Sequence, residues 1–258
     1  MTNRQRVALV ERFIREHHYA SLRTLADRFD SSVSTVRRAL DLLVKRGVVH
    51  RHHGGASLAE TDVLAQEFDF AARDRQNPDE KLAIGRLVAD QIRPGMTVIL
   101  DGGSTTYAVA RHLVDKPLRI VTNSLPVASL FSSVDGTETT VTGGSLYRKL
   151  GTLVGPLCEE SLAQVHADVA IVGGAGVTEQ GVWSHTALIA SAQRKMIAAA
   201  GRTLFVLDRS KFGRTALSLI TPFEKDFTIV TDTRPAPAVA RAIEQAGAQL
   251  TLARKRRA

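Results

Sequence analysis

Cysteine is almost absent: Cys158 is the single one in 258 residues. That excludes an intrachain disulfide and fits a reducing, cytoplasmic setting, with packing the expected role of the thiol. No apolar run approaches the ~20 residues of a membrane span, and no signal peptide is read ahead of Arg4, so neither a membrane nor an export route is expected. A Walker motif, a nucleophile elbow and a cluster of metal ligands at suitable spacing are all missing. No cofactor and no metal is therefore expected, and no ready-made catalytic machinery. Internal repeats and low-complexity tracts are lacking as well.

What remains is ordinary soluble composition, 44% hydrophobic and 23% charged, with an uneven charge. Residues 1–58 carry 11 Lys or Arg against 5 Asp or Glu, +6 of the chain's +8. A localised basic excess is what a phosphate footprint looks like. Five of the eight histidines lie there too, including His50, His52 and His53, but further ligands at metal spacing are missing.

The same stretch has the pattern of a winged helix-turn-helix. An upstream helix over residues 4–17 presents Val7, Val10, Phe13 and Ile14; a second, over 22–29, places Leu22, Leu25, Ala26 and Phe29 on one face behind Ser21 as cap. Asp30, Ser31 and Ser32 supply the turn, and Ser32 caps a third helix with Val33, Val36, Leu40, Leu43 and Val44 inward. Gly47 ends it. Outward stand Ser34, Thr35, Arg37 and Arg38, short hydroxyls followed by two guanidinium forks, the residue types that meet base edges and phosphates from a recognition helix. Residues 48–51 form a wing strand and His53-Gly54-Gly55 its turn. The candidate contacts to double-stranded operator DNA are Ser32, Ser34, Thr35, Arg37, Arg38, Arg51 and His53.

Ser32, Thr35, Val36, Arg37 and Arg38, with the closing Arg51-His52-His53-Gly54-Gly55-Ala56, make these 56 residues resemble the DeoR family of bacterial sugar-responsive repressors. The resemblance implies a transcriptional regulator. One departure is Ala39, where that family usually has Asp after the two arginines.

Length fits two domains: 1–58 for DNA, a polar hinge over 59–77 and a larger domain over 78–258. Beyond residue 96, apolar strands alternate with helical segments: strands near 97–100, 118–122, 139–142, 169–172, 203–207 and 227–231, helices near 107–113, 125–131, 187–200 and 238–246. Such alternation gives an α/β class with a mostly parallel sheet covered on both faces. Ligands of such sheets bind outside the carboxyl ends of strands. Those ends carry Asp101-Gly102-Gly103-Ser104-Thr105-Thr106, Asn123-Ser124, Gly143-Gly144 and Gly173-Gly174. Glycines, hydroxyls and a helix N-terminus in the first make a phosphate cradle, with Lys211 as countercharge and Asp101 and Asn123 for sugar hydroxyls. Trp183, Ser184 and His185 are further candidates for shaping the pocket, and 254–257 read as a frayed basic tail.

Asp101 to Thr106, Thr122-Asn123-Ser124, Thr142-Gly143-Gly144, Gly173 to Gly176 and Ser210-Lys211-Phe212-Gly213 extend the resemblance to the family's sugar-phosphate-binding domain, similar in fold to ribose-5-phosphate isomerase. The acidic residue common in that family ahead of Lys-x-Met-Ile is missing from residues 188–197. The expected effector site is Asp101, Gly102, Gly103, Ser104, Thr105, Thr106, Asn123, Gly143, Gly144 and Lys211. The expected protein is a regulator of a carbohydrate operon, controlled by a phosphorylated sugar and assembled as a homodimer or homotetramer. The alternative is a sugar-phosphate isomerase-like enzyme with an added DNA-binding module.

Overall fold

Two serines frame the first part of the chain. In the computed structural model, Ser21 Oγ accepts from Thr24 N at 3.0 Å and Ser32 Oγ from Thr35 N at 3.2 Å, each capping the first turn of a helix; the Thr35 N–H is shared with the Ser32 carbonyl at 2.9 Å. The structure describes residues 3–17, 19–52, 54–58 and 70–253, and the chain separates into units 1–68 and 69–258.

The first unit runs α1 (Asn3–His17), β1 (Tyr19–Ser21), α2 (Leu22–Arg28), α3 (Val33–Lys45), β2 (Val49–His52) and β3 (Gly55–Leu58), with β3 between β1 and β2 in an antiparallel sheet. Val10, Ile14, Leu25, Val36, Ala39, Leu40 and Leu43 are fully buried together. The buried stripe of α3 is thus 36, 39, 40, 43, the i, i+3, i+4, i+7 set. Val33 and Val44, expected inward, fall at the two ends of that stripe and are exposed. Gly47, at φ +70°, lets Val48 N–H turn back to Leu43 O and closes α3.

The second unit contains α4 (Phe70–Asp74), α5 (Pro78–Ala89), β4 (Thr97–Leu100), α6 (Ser104–Arg111), β5 (Arg119–Thr122), α7 (Leu125–Phe131) and β6 (Glu138–Val141). After these come the hairpin β7 (Ser145–Tyr147) and β8 (Thr152–Val154), α8 (Pro156–Ala163), β9 (Val169–Val172), β10 (Gly176–Thr178) and β11 (Gly181–Ser184). Last are α9 (Ala187–Ala198), β12 (Thr203–Val206), a 3-10 turn (Arg209–Lys211), β13 (Ser218–Thr221), β14 (Phe227–Thr231), α10 (Pro237–Gln245) and β15 (Gln249–Leu252). Helix α4 falls inside the stretch expected as hinge and packs on the second unit, where the Phe70 and Tyr107 rings meet edge to face. The remaining expected hinge residues 59–69 and the tail 254–257 lie outside the described residues.

Seven parallel strands form one sheet in the order β15-β14-β12-β9-β4-β5-β6. Alternation along each strand divides its side chains between two cores. Val98 and Leu100 face the core shared with α5, α6 and α7; Ile99 faces the one shared with α8, α9 and α10. The chain starts at β4, moves outward through β5 to β6, and then returns to the other side of β4 with β9. Strands β4 and β9 therefore bound a topological switch, the place where the loops at their carboxyl ends diverge and leave a crevice.

Candidate functional site

The crevice is occupied by a solvent-open cleft with an empty volume of ≈ 520 Å³, mouth included. Asp101, at the end of β4, closes its floor. One carboxylate oxygen accepts from Gly102 N at 2.7 Å, and the other from Gly173 N at 3.0 Å and Gln193 Nε2 at 2.8 Å. The carboxylate thus ties the β4 and β9 loops to α9. Asp101 lines the cleft and, with three N–H donors on it and only 4% exposed, also organises the loops around it.

Gly102, Gly103, Ser104 and Thr105 line the cleft, and the first N–H groups of α6 have no carbonyl ahead of them in the helix. Gly102 is required by close approach, because a Cβ there would fall 1.9 Å from Thr152 Cγ2. Thr106 belongs to the same turn but is fully buried and does not line the cleft.

Lys211 and Arg73 bring positive charge to the rim. The turn bearing Lys211 is fixed by Asp208, which accepts from Ser210 N at 2.9 Å and from Asn77 Nδ2 at 3.1 Å, and by Asp232, which accepts from Arg209 N at 2.7 Å. Arg73 is placed by Lys81, whose ammonium, 3% exposed, donates to the Arg73 carbonyl. Burial lowers the Lys81 pKa from 10.5 to about 8; Asp208 opposes the shift and Lys211 reinforces it. Leu150 and Ile189 form an apolar wall, and Thr152, Ser184, His185 and Gln193 add polar side chains to the lining.

Asn123, Gly143 and Gly144 lie outside the cleft. They follow β5 and β6, one and two strands from the switch, and strands stand ~4.8 Å apart. The β7–β8 hairpin covers them: Asn123 donates through Nδ2 to Leu153 O at 2.9 Å and accepts from Leu153 N at 2.7 Å on its carbonyl. Gly144, at φ +128°, packs where a Cβ would sit 2.6 Å from Val154 O. These residues hold the hairpin. Of the three flanking candidates, Ser184 and His185 reach the cleft, whereas Trp183 Nε1 donates to Thr178 Oγ1 at 2.9 Å.

In the first unit, Ser34, Arg37 and Arg38 are exposed and Thr35 half-buried on α3. Ser32 is its cap, and its hydroxyl also pairs with those of Ser34 (2.9 Å) and Thr35 (2.8 Å). Arg51 forms an exposed ion pair with Asp41 of α3, joining wing to recognition helix. His53 lies outside the described residues. Ala39 is fully buried, so a carboxylate at that place would enter the core.

Arg73, Lys81, Thr152 and Gln193 went unseen in the sequence. Lys81 and Gln193 look like surface residues of amphipathic helices until the fold buries them; Arg73 sits in a stretch that reads as linker.

Residues 6–62 match the DeoR-like helix-turn-helix domain and residues 76–233 the DeoR C terminal sensor domain. The chain is 32% identical to the L-fucose operon activator of Haemophilus influenzae, over 87% of this chain and 90% of that one. It is 30% identical to the glycerol-3-phosphate regulon repressor of Escherichia coli, over 98% and 100%. Among solved structures it is similar to ribose 5-phosphate isomerase A of Methanocaldococcus jannaschii at 16% identity and a TM-score of 0.40, over 53% of this chain and 55% of that one. A winged helix-turn-helix with an arginine-bearing third helix, followed by a sensor domain matched over most of its length, places the chain in the DeoR family of DNA-binding transcriptional regulators.

Proposed function

We propose that the chain is a cytoplasmic repressor of a carbohydrate-utilisation operon that binds double-stranded operator DNA through α3 and the wing and is controlled by a phosphorylated sugar held in the cleft of the second unit. The observation carrying this reading is the meeting of Lys211 and Arg73 with the N-terminal turn of α6 at the β4–β9 switch. Backbone N–H groups, two hydroxyls and two cations suit an anion with several oxygens. The names of the two relatives, an L-fucose operon activator and a glycerol-3-phosphate regulon repressor, support a sugar or polyol phosphate context.

The enzyme alternative is the weaker reading. Asp101 is the one carboxylate lining the cleft among the described residues, and its oxygens are held by three donors. A general base has to reach a substrate proton.

Titrating the full chain with sugar phosphates and their unphosphorylated parents tests the proposal. The phosphorylated form is expected to bind more tightly and to change operator affinity, Ser104→Ala and Lys211→Ala to lose the ligand while keeping ligand-free DNA binding. Equal binding of the two forms would remove the phosphate site.

A further inference from the structure

Gln193 carries a feature that the phosphate cradle leaves unused. Its side chain, 4% exposed, lines the cleft from α9, one turn after Ile189. Nε2 donates to Asp101 Oδ2 at 2.8 Å and to Gly173 O at 3.3 Å. Both amide hydrogens are therefore committed, and two acceptors fix which way the amide points. Oε1 is left as a pure acceptor, and it has no hydrogen-bond partner in the protein. A buried carbonyl without a donor is costly, and the residue that carries this one lines the cleft, so a ligand that settles there can supply the donor.

We infer that Gln193 is the specificity-determining residue of the cleft, its Oε1 accepting a hydrogen bond from one hydroxyl of a phosphorylated sugar or polyol. This rests on the reading of the cleft as a sugar-phosphate site and adds which chemistry is selected there. A carboxylate or keto oxygen at that position would set acceptor against acceptor beside Asp101, and a methylene would leave Oε1 unpaired. The neighbouring Leu150 and Ile189 offer no side-chain donor to take the hydroxyl's place.

The test is calorimetric titration of the full chain with glucose 6-phosphate, ribose 5-phosphate and fructose 6-phosphate. Each is compared with its unphosphorylated parent, its monodeoxy analogues and the matching deoxyfluoro analogues. Inorganic phosphate is the reference. Wild type is expected to prefer one hydroxylated member over its deoxy analogue by about tenfold. Gln193→Met should bring that member down to the affinity of the deoxy analogue, so that the ratio between the two falls to about one, whereas a merely structural role would weaken both and keep their ratio. Fluorine keeps size and polarity but cannot donate, so in wild type the deoxyfluoro analogue should bind as weakly as the deoxy one, a readout that stands even where Gln193→Met does not fold. A deoxyfluoro analogue as tight as its parent, or a Met variant that keeps the wild-type preference, overturns the role of Gln193 alone. If wild type binds no member of the panel, or binds phosphorylated and parent sugars alike, the cleft is not a sugar-phosphate site and the inference falls with it.

Discussion

Arg37 and Arg38 stand on the exposed side of α3 while Val36 and Ala39, their neighbours, are fully buried. Helical geometry alone separates the two tasks, so replacing either arginine by Ala is expected to leave the melting temperature unchanged. Operator binding should weaken by about 1–3 kcal/mol for a base contact, or lose part of its salt dependence for a phosphate contact. Fluorescence anisotropy on operator DNA at several salt concentrations checks this. Unchanged affinity and salt slope in both variants would take α3 out of the interface. Lys81 gives a prediction of another kind. Its ammonium loses its proton near pH 8 in the folded chain and near 10.5 in the unfolded one. Between those values the unfolded chain binds more protons, so the stability that Lys81 governs rises with pH; below about 8 both states are charged and the burial cost is present in full. Urea unfolding of wild type and Lys81→Met at about pH 7.5 and pH 10 should show wild type gaining on the variant as pH rises.

Among the elements, the parallel strands were the most legible. Thr97–Leu100, Val169–Val172 and Phe227–Thr231 are short apolar runs between turn residues, and they sit where such runs predict. The antiparallel pieces were not: β7–β8 and β10–β11 are hairpins of three or four residues, too short for alternation to register. Helix α5 was missed as well, since Glu80, Lys81 and Gly85 are buried in it where the helical pattern calls for apolar residues. The site followed the same rule. Strand ends mark where loops lie, but the order of strands decides which loops share a crevice, and that order is a tertiary property. Hence Gly102 and Ser104 fell in the cleft and Gly144 did not. Gly144→Ala is accordingly expected to cost about 1–3 kcal/mol through its left-handed φ and the contact with the Val154 carbonyl. Ligand affinity should change far less than in Ser104→Ala. Chemical denaturation and titration of both variants compare the two effects.

For the whole molecule, one helix-turn-helix reads only a few base pairs, so specific binding calls for at least two copies, with half-sites ~10 base pairs or a multiple apart. Sedimentation of the full chain with and without operator should give a dimer or tetramer; a monomer in both conditions would refute the assembly. Effector control requires the ligand to bind the DNA-bound and DNA-free forms unequally, typically by about 1–3 kcal/mol. Reciprocity follows: saturating operator should shift ligand affinity by the same factor.

The β4–β9 pairing also bears on the order in which the chain acquires its structure. Asp101 meets Gly173 across 72 residues of sequence and Gln193 across 92, whereas the caps of α2 and α3 close over three. Distant partners find each other slowly, because long loops must close before the contact rewards them. The helix-turn-helix is therefore expected to fold well before the cleft exists. The chain's only tryptophan, Trp183, lies in β11 of the second unit, so its fluorescence follows the late event alone while helical dichroism follows both. During synthesis the first unit also leaves the ribosome ahead of the second, so the Ser21 and Ser32 caps are expected to close before the Asp101 contacts can form.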